Sequence, residues 1–428
     1  MRILRAFLVL ILTWEARLVL YRHLPKIIAV TGSVGKTTTK DAIYAAISGR
    51  IRVRKSLASF NSEIGVPLTI LGLGNPWSNP FLWLSVFVKG FLIIFAKDYP
   101  EWLILEVGAD RPGDIRRIAK WLKPDIVVFT GVPEIPVHVE YFDSPEAVFR
   151  EKRTLIEYLK PGGALILNGD DIRAKELKAE FRGLTTTYGF EEGCDFLASR
   201  EAIEYKDGPV GLYVRVDHAG SSVPLSIQGA LGRPRIYGAL AALAVSDVMH
   251  IDVVSAAGSL AHWTPPPGRM RIIPGKNGST IIDDTYNSSP VAALSALDTL
   301  KEVQGKRRIA ILGDMMELGK YSAAAHRTVG ERAAQCADQL VTIGFRARAI
   351  GEVALDGGMP EKNIREYEQR EATRAGHELS SELKEGDIVL VKGSQSMRME
   401  RTVELLIAHP ETAKDTLVRQ DEEWLAKP

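Results

Sequence analysis

At 428 residues, with 25% charged side chains and a formal net charge of +1, the chain has room for two or three domains and a large core. That balance gives no reason to expect a nucleic-acid surface, which would carry clustered basic charge. Its two cysteines, Cys194 and Cys336, lie too far apart in sequence to suggest a disulfide framework or a metal knuckle, which fits a reducing cytoplasm.

The first stretch, Ile3–Leu20, is apolar, but its uninterrupted part, Ala6–Leu12, is short, and Glu15 and Arg17 interrupt the remainder. A spanning helix needs roughly 20 apolar residues. Arg2, Arg5, Arg17 and Arg22 flank the stretch and no small-residue cleavage site comes after it, which argues against a signal peptide. A second apolar stretch, Phe81–Ala96, is interrupted by Lys89 and Gly90. Both are expected to be helices lying in a membrane interface, with Trp14, Trp77 and Trp83 suited to the headgroup layer and the arginines to anionic lipid. The alternative is that the two pack on each other as core or lid.

The chain is organised around KIIAVTGSVGKTTTK at 26–40. The apolar run Ile27–Val30 predicts a buried parallel strand, Thr31 to Gly35 a tight turn, and Lys36 the start of a helix to about Ile47. Strand, glycine turn and helix N-terminus together make a phosphate cradle: backbone N–H groups approach the anion, the helix dipole favours it, and Lys36 adds a full charge. Thr37 is placed to put its hydroxyl on a magnesium ion. The stretch departs from the strict eight-residue nucleotide pattern, because Val30 stands where the first glycine would fall.

Beyond it, Ile51–Val53 predicts a short strand, and Asn61 precedes a helix starting near Glu63, which it would cap. Trp102–Glu106 predicts a strand ending on a carboxylate. Ligands in open α/β sheets sit at the carboxyl ends of strands, so Glu106 shares a layer with Lys36 if the strands are neighbours. It would then hold magnesium, or else pair with Arg111 or Arg116. Asp125–Thr130 is a further strand, leading to a loop carrying His138 and a helix over Pro145–Leu159 carrying Lys152. Ala164–Asn168 is a strand ending in NGDD. Alternation within Phe196–Ile227 suggests a few antiparallel strands. Helices are then expected over Gly232–His250 and Ile251–Ala261.

TPPPG at 264–268 is the best linker in the chain. Beyond it strands are expected at Thr280–Asp284, Arg308–Leu312, Leu340–Ile343 and Asp387–Val391. Helices run from DDTYNSSP to about Val303, around His326, and after KGSQSMRME. The alternation implies a second, mostly parallel sheet without a phosphate loop. Glu411–Pro428 is expected to be a surface helix or tail.

Several strings resemble the Mur ligase family in its MurF branch: TGSVGKTTTK (31–40), NSEIGVPLTIL (61–71), LEVGADRPGDI (105–115), REKRTLIEYL (150–159), ILNGDD (166–171), GRM (268–270), DDTYNSSP (283–290), LGDMMELG (312–319) and VKGSQSMRME (391–400). The resemblance covers about residues 26–410. It implies an α/β fold: a P-loop-type ATPase domain with a mostly parallel sheet over 26–264, and a Rossmann-like α/β domain over 265–428. An apolar, basic segment over 1–25 precedes them. It also implies an ATP-dependent amide ligase of peptidoglycan precursor synthesis and cell-wall biogenesis, adding D-alanyl-D-alanine to a muramoyl tripeptide through an acyl phosphate.

By the same resemblance, Gly32, Ser33, Val34, Gly35, Lys36, Thr37, Thr38, Asn168, Arg269 and Asp284 would bind ATP, Asp284 at the ribose. Thr37, Glu106, His138 and a carbamylated Lys152 would hold two magnesium ions, with Lys36, His138 and Lys152 catalytic. Asn61, Tyr286, Asn287, Lys392 and Ser394 would face the substrate. Departures also enter. The family begins with a domain that grips the UDP-sugar, and here the expectation is that Met1–Lys26 stands in its place. The substrate would then be a UDP-muramoyl or a lipid-linked peptide, met at the inner face of the cytoplasmic membrane. Pro234, Arg235 and Gly238 replace polar positions near the base, and Gln395 replaces an arginine. Two other readings are a Mur-type ligase for another carboxylate and amine, such as a polyglutamate-forming enzyme, and a non-catalytic ATP-binding scaffold.

Overall fold

A computed structural model describes residues 2–56, 59–77 and 79–426. Met1 of the N-terminal segment, Leu57 and Ala58 of the stretch before Asn61, and Lys427 and Pro428 of the C-terminal tail lie outside them.

The chain opens with helix α1 (Arg2–His23), then β1 (Lys26–Thr31), α2 (Lys36–Ile47), β2 (Val53–Lys55), α3 (Gly65–Leu71), α4 (Pro80–Ile94) and β3 (Trp102–Glu106). It continues through α5 (Asp114–Leu122), β4 (Ile126–Phe129), α6 (Pro145–Glu157), β5 (Ala164–Asn168), α7 (Ile172–Glu180) and β6 (Leu184–Gly189). Three long strands come next, β7 (Phe196–Tyr205), β8 (Pro209–His218) and β9 (Ser221–Gln228), then α8 (Arg233–Val248) and α9 (Val253–Leu260). These strands form one nine-stranded sheet in the order β2-β3-β1-β4-β5-β6-β7-β8-β9. It is parallel through β7 and antiparallel beyond.

Residues after Gly268 build the second sheet. Its elements are β10 (Arg271–Pro274), β11 (Thr280–Asp284), α10 (Pro290–Glu302), β12 (Arg307–Gly313), α11 (Ser322–Cys336) and β13 (Gln339–Ile343). After them come α12 (Arg348–Asp356), β14 (Ile364–Tyr367), α13 (Ala372–Glu382), β15 (Asp387–Lys392) and α14 (Glu400–Leu406). The strand order is β10-β11-β15-β12-β13-β14, parallel except for the edge strand β10.

β1 shows why the first sheet sits where it does. It is buried at every residue but the first, as a strand must be when helices cover both faces. One face shares a core with α2 and α8. The other packs on α3, α5, α6 and on α1, whose Leu12, Ala16 and Val19 are fully buried. The N-terminal helix is therefore part of the first sheet's own core. It packs against α4 as well, so the core-or-lid alternative holds for the inner faces of both helices, while their outer faces stay exposed. Among the described residues, no helix is long and apolar enough to cross a membrane.

Smaller expectations shift. The strand expected at Ile51–Val53 forms over Val53–Lys55, and the helix expected near Glu63 begins at Gly65 behind Ile64. Strands β6, β10 and β14 and helices α7, α12 and α13 were not expected. The stretch after Glu411 is more than a surface tail. Leu417 is buried, and Arg419, nearly buried, pairs with the buried Glu400 and donates to the Thr285 and Tyr286 carbonyls.

Candidate active site

Parallel pairing places the carboxyl ends of β3, β1, β4 and β5 side by side, so the loops leaving them form one rim. From β1 comes the glycine loop. Gly32 has φ +140° and a Cβ there would strike Thr130 Oγ1; Gly35 has φ +82° and precedes α2 with no side-chain cap. The first N–H groups of α2 are thus left for a ligand, as at anion-binding helix ends. Thr130 pins the loop from β4, donating to the Val34 carbonyl at 2.6 Å, and Ser33 N–H donates to the Gly131 carbonyl at 2.9 Å. The Ser33 hydroxyl is buried without a partner, the mark of a cradle shaped for something else.

Glu106, at the end of β3, is the hub. Thr37 Oγ1 donates to its Oε2 at 3.0 Å; Ser59 Oγ at 2.8 Å and Asn61 Nδ2 at 3.3 Å donate to Oε1. Burial alone would raise this carboxyl, but Lys36 and Lys40 nearby and the Ser59 hydrogen bond hold it below its ordinary range. The pairing with Arg111 or Arg116 does not form, and Asn61 serves Glu106 rather than capping α3. Burial lowers Lys36, with Glu106 and Asp110 opposing.

The second sheet closes the other side. Arg269, just after the proline linker, donates from Nη2 to Thr37 Oγ1 at 3.2 Å, with its guanidinium 3.9 Å from the Tyr286 ring centroid. Its Nε is buried and unpartnered. A cleft of about 650 Å³ results, lined by Ser33–Thr37, Asn61, Glu106 and His138 on one side and Arg269, Tyr286, Asn287 and Ser394 on the other. Ser394 Oγ accepts from Met316 N–H at 2.8 Å, and Asn287 Oδ1 from Gln395 N–H at 3.4 Å.

Other expected residues stand apart. Asp284 and Lys392, facing each other across β11 and β15, form a buried ion pair at 2.5 Å; Asp284 also accepts from Met270 N–H and Lys392 donates to the Asn287 carbonyl. Neither lines the cleft; their contacts to the Met270 N–H and the Asn287 carbonyl brace the Asn287 loop. Asn168 lines a second cavity of about 660 Å³ on the far side of Val34 and Gly35, with Thr39, Pro234 and Tyr237. Thr38 is turned inward, accepting from the buried Arg235 at 3.3 Å, and Gly238 packs on it. Arg235 therefore supports α2 from behind rather than facing that cavity.

Lys152, on α6, is buried at 1% exposure. Burial, with some help from Lys36 and against Asp110, Glu151 and Glu106, lowers its amine to about 7. His138 (φ +66°) lies 2.7 Å by Nδ1 from Glu317 Oε2 and 3.7 Å by Nε2 from Asp110 Oδ1. Glu317 belongs to the loop after β12, so this contact spans the two sheets. Among the described residues, no three His, Cys, Asp or Glu side chains cluster as a ready-made metal site. Thr37 and Glu106 are nonetheless the kind of sparse oxygen set that suits magnesium, which takes one or two protein ligands and completes its shell with phosphate and water.

Sequence reasoning missed Ser59, Asp110, Glu317 and Trp424, all of which line the cleft. Of these, Asp110 and Glu317 stand inside the strings LEVGADRPGDI and LGDMMELG without being singled out; Ser59 and Trp424 depend on contacts far apart in sequence.

Comparison with known proteins gives a consistent family. Residues 30–81 and 85–246 match the Mur ligase middle domain, and 268–395 the Mur ligase, glutamate ligase domain. A UDP-N-acetylmuramoyl-tripeptide–D-alanyl-D-alanine ligase of Synechocystis sp. is 30% identical over 410 residues, covering 93% of this chain and 80% of that protein. The ligase of the same name from Bacillus subtilis is 28% identical over 387 residues, covering 90% and 76%. The crystal structure of MurF ligase from Thermotoga maritima in complex with ADP superposes with a TM-score of 0.75 at 25% identity, covering 95% of this chain and 84% of that one.

Proposed function

The chain belongs to the Mur ligase family, and from that premise we propose that it is an ATP-dependent carboxylate–amine ligase that adds D-alanyl-D-alanine to a UDP-muramoyl tripeptide. The observation that carries this reading is one cleft in which the glycine loop and Glu106 of the first sheet face Arg269, Tyr286, Asn287 and Ser394 of the second. A carboxylate–amine ligase needs a triphosphate, a carboxylate and an amine brought together away from water.

In this reading the backbone of residues 32–37 and Lys36 hold the β- and γ-phosphates, and Arg269 adds charge from across the cleft. The adenine enters the cavity beside Asn168 and Tyr237. Phosphoryl transfer is mostly positioning and charge neutralisation. An oxygen of the substrate carboxylate attacks the γ-phosphorus, the bond to ADP breaks, and an acyl phosphate forms. The amine of D-alanyl-D-alanine attacks the acyl carbon, phosphate leaves with the former carboxylate oxygen, and the nitrogen loses a proton. Magnesium, held by Thr37 and Glu106 and at a second position by His138 and a modified Lys152, would neutralise phosphate charge. Lys152 supports that modification, since an amine lowered to about 7 has a substantial neutral fraction near pH 7, where an ordinary lysine has almost none. Attack of the neutral amine on CO2 forms an N–C bond, releases one proton and turns the neutral amine into a carbamate anion. Bridging contacts such as Arg269 to Thr37 and His138 to Glu317 would keep the two sheets closed over the acyl phosphate and exclude water. The proposed domain division falls at the 264–268 linker, and the reaction is placed in the cytoplasm, at the inner face of the membrane.

The test is ADP and phosphate release from the purified protein with ATP, magnesium, UDP-muramoyl tripeptide and D-alanyl-D-alanine, with the product identified by mass. The reading expects phosphate release that depends on the amine, together with a pentapeptide product. Phosphate release without pentapeptide, or none at all with ATP bound, would contradict it.

A further inference from the structure

The cleft leaves the outer faces of α1 and α4 unexplained. Of the 22 large hydrophobic side chains exposed among the described residues, 13 lie between Phe7 and Phe95. Their spacing is helical: Phe7, Leu10 and Trp14 follow one stripe of α1, and Leu84, Val88 and Phe91 one stripe of α4. The opposite faces are already spent, with Leu12, Ala16 and Val19 of α1 and Val86, Gly90 and Ile94 of α4 buried. A helix apolar on both sides has a second apolar environment to meet.

The exposed charges on the two helices themselves have one sign. Arg5, Arg17 and Arg22 of α1 and Lys89 of α4 are exposed. α4 contains no acidic residue, and the one acid of α1, Glu15, is buried at 3% exposure. Of the acids outside the two helices, Glu63 pairs with Arg5 and Arg117 and Asp98 with Arg52, which leaves Arg17 and Lys89 as the exposed charges the proposal uses. A second copy of the chain would bring like charges together, whereas an anionic lipid surface offers both an apolar layer and the opposite charge. The surface also adjoins the cleft. Trp77, ahead of α4, meets Trp424 of the cleft wall edge-on at 6.3 Å, and Glu63, bound by Arg5, lies two residues from Asn61.

We propose that the outer faces of α1 and α4 together form a docking surface for an anionic lipid bilayer. The helices lie in the interface with their apolar stripes at the headgroup–acyl boundary and Arg17 and Lys89 on lipid phosphates, which holds the mouth of the cleft against the membrane. The inference is independent of the ligase chemistry.

The experiment is co-sedimentation of the full chain with phosphatidylglycerol-containing vesicles and with pure phosphatidylcholine vesicles, at low and high salt. Binding is expected with the anionic vesicles, weaker at high salt and with phosphatidylcholine. Leu84→Glu with Phe91→Glu is expected to lower partitioning about tenfold or more, and Arg17→Glu with Lys89→Glu to erase the preference for anionic lipid. Thermal melts and ATP binding check that the variants fold; the charge-reversal pair, on exposed side chains, keeps the test valid if the apolar pair fails that check. Absence of sedimentation with any vesicle would overturn the proposal. So would a lipid-free dimer by light scattering that Leu84→Glu with Phe91→Glu breaks, since the face would then belong to a second copy.

Discussion

The glycine loop and the α1–α4 face depart from ordinary burial in opposite directions. Around the loop, polar and charged groups are buried: Thr37, Lys40, Glu106 and Lys152 are all at most 7% exposed. On the α1–α4 face, Phe81 and Leu10 are 83% and 67% exposed. Buried polar groups are costly unless each has a partner, so such a cluster persists where it does chemistry. Exposed apolar groups cost little singly, but gathered on one face they mark a surface made to be covered. In the two proposals the first region acts on a ligand and the second places the protein, and each can be broken without the other.

The largest effect is expected at the loop. Lys36→Ala should lower turnover by at least about 10²–10³-fold, the cost of removing a preorganised charge stabiliser, and weaken ATP binding in a direct titration. Normal ATP affinity in that variant would rule out the phosphate cradle. Nearly as large is Lys152→Ala, which should lose activity and regain part of it with added short carboxylic acids that replace the carbamate. Because the Lys152 amine lies at about 7, the neutral form that captures CO2 grows as pH rises through 7, so activity should climb there. Full activity in Lys152→Ala without rescue would show that no carbamate is needed.

A smaller effect tests the closure of the two sheets. Arg269→Lys keeps the charge but loses the planar stack on Tyr286 and the reach to Thr37, so KM for ATP should rise by about tenfold while the fold stays intact. An unchanged KM would mean that the second sheet does not help to hold the nucleotide.

The smallest change concerns Glu15, the buried acid between α1 and α4, where a Cβ on Gly90 would touch its carboxylate. Burial raises Glu15 from 4.5 to about 7. The folded state therefore binds more protons than the unfolded state between these values, and stability falls as pH rises from about 4.5 through 7. Glu15→Gln should raise the melting midpoint above pH 7 and leave it nearly unchanged at pH 5. An equal shift at both values would mean that the side chain acts through packing rather than charge.

Much of this was legible in the sequence where local rules suffice. β3, β5 and β11 fall on the expected residues because a parallel strand buried on both faces is a plain apolar run closed by polar residues. α2 begins at Lys36 because Gly35 supplies the left-handed residue before it. β6 was missed because LTTTYG lacks the apolar run of the other parallel strands; its buried Thr187 is satisfied by Asp195 through both N–H and hydroxyl. Ser59 was missed because its partner is 47 residues away. The Asp284–Lys392 pair was not legible because the two residues are 108 apart in sequence and meet only across neighbouring strands. Of the two readings of the apolar stretches, core packing holds for their inner faces, which join the first sheet's core, while their outer faces are exposed.

In the proposed reaction ATP activates a carboxylate in the cleft before an amine takes it. The most direct measurement uses UDP-muramoyl tripeptide with ¹⁸O in its terminal carboxylate, ATP, magnesium and D-alanyl-D-alanine, with mass analysis of the released phosphate. An acyl phosphate predicts that one labelled oxygen passes from the carboxylate to phosphate for each pentapeptide formed. Pentapeptide formed with unlabelled phosphate would contradict it.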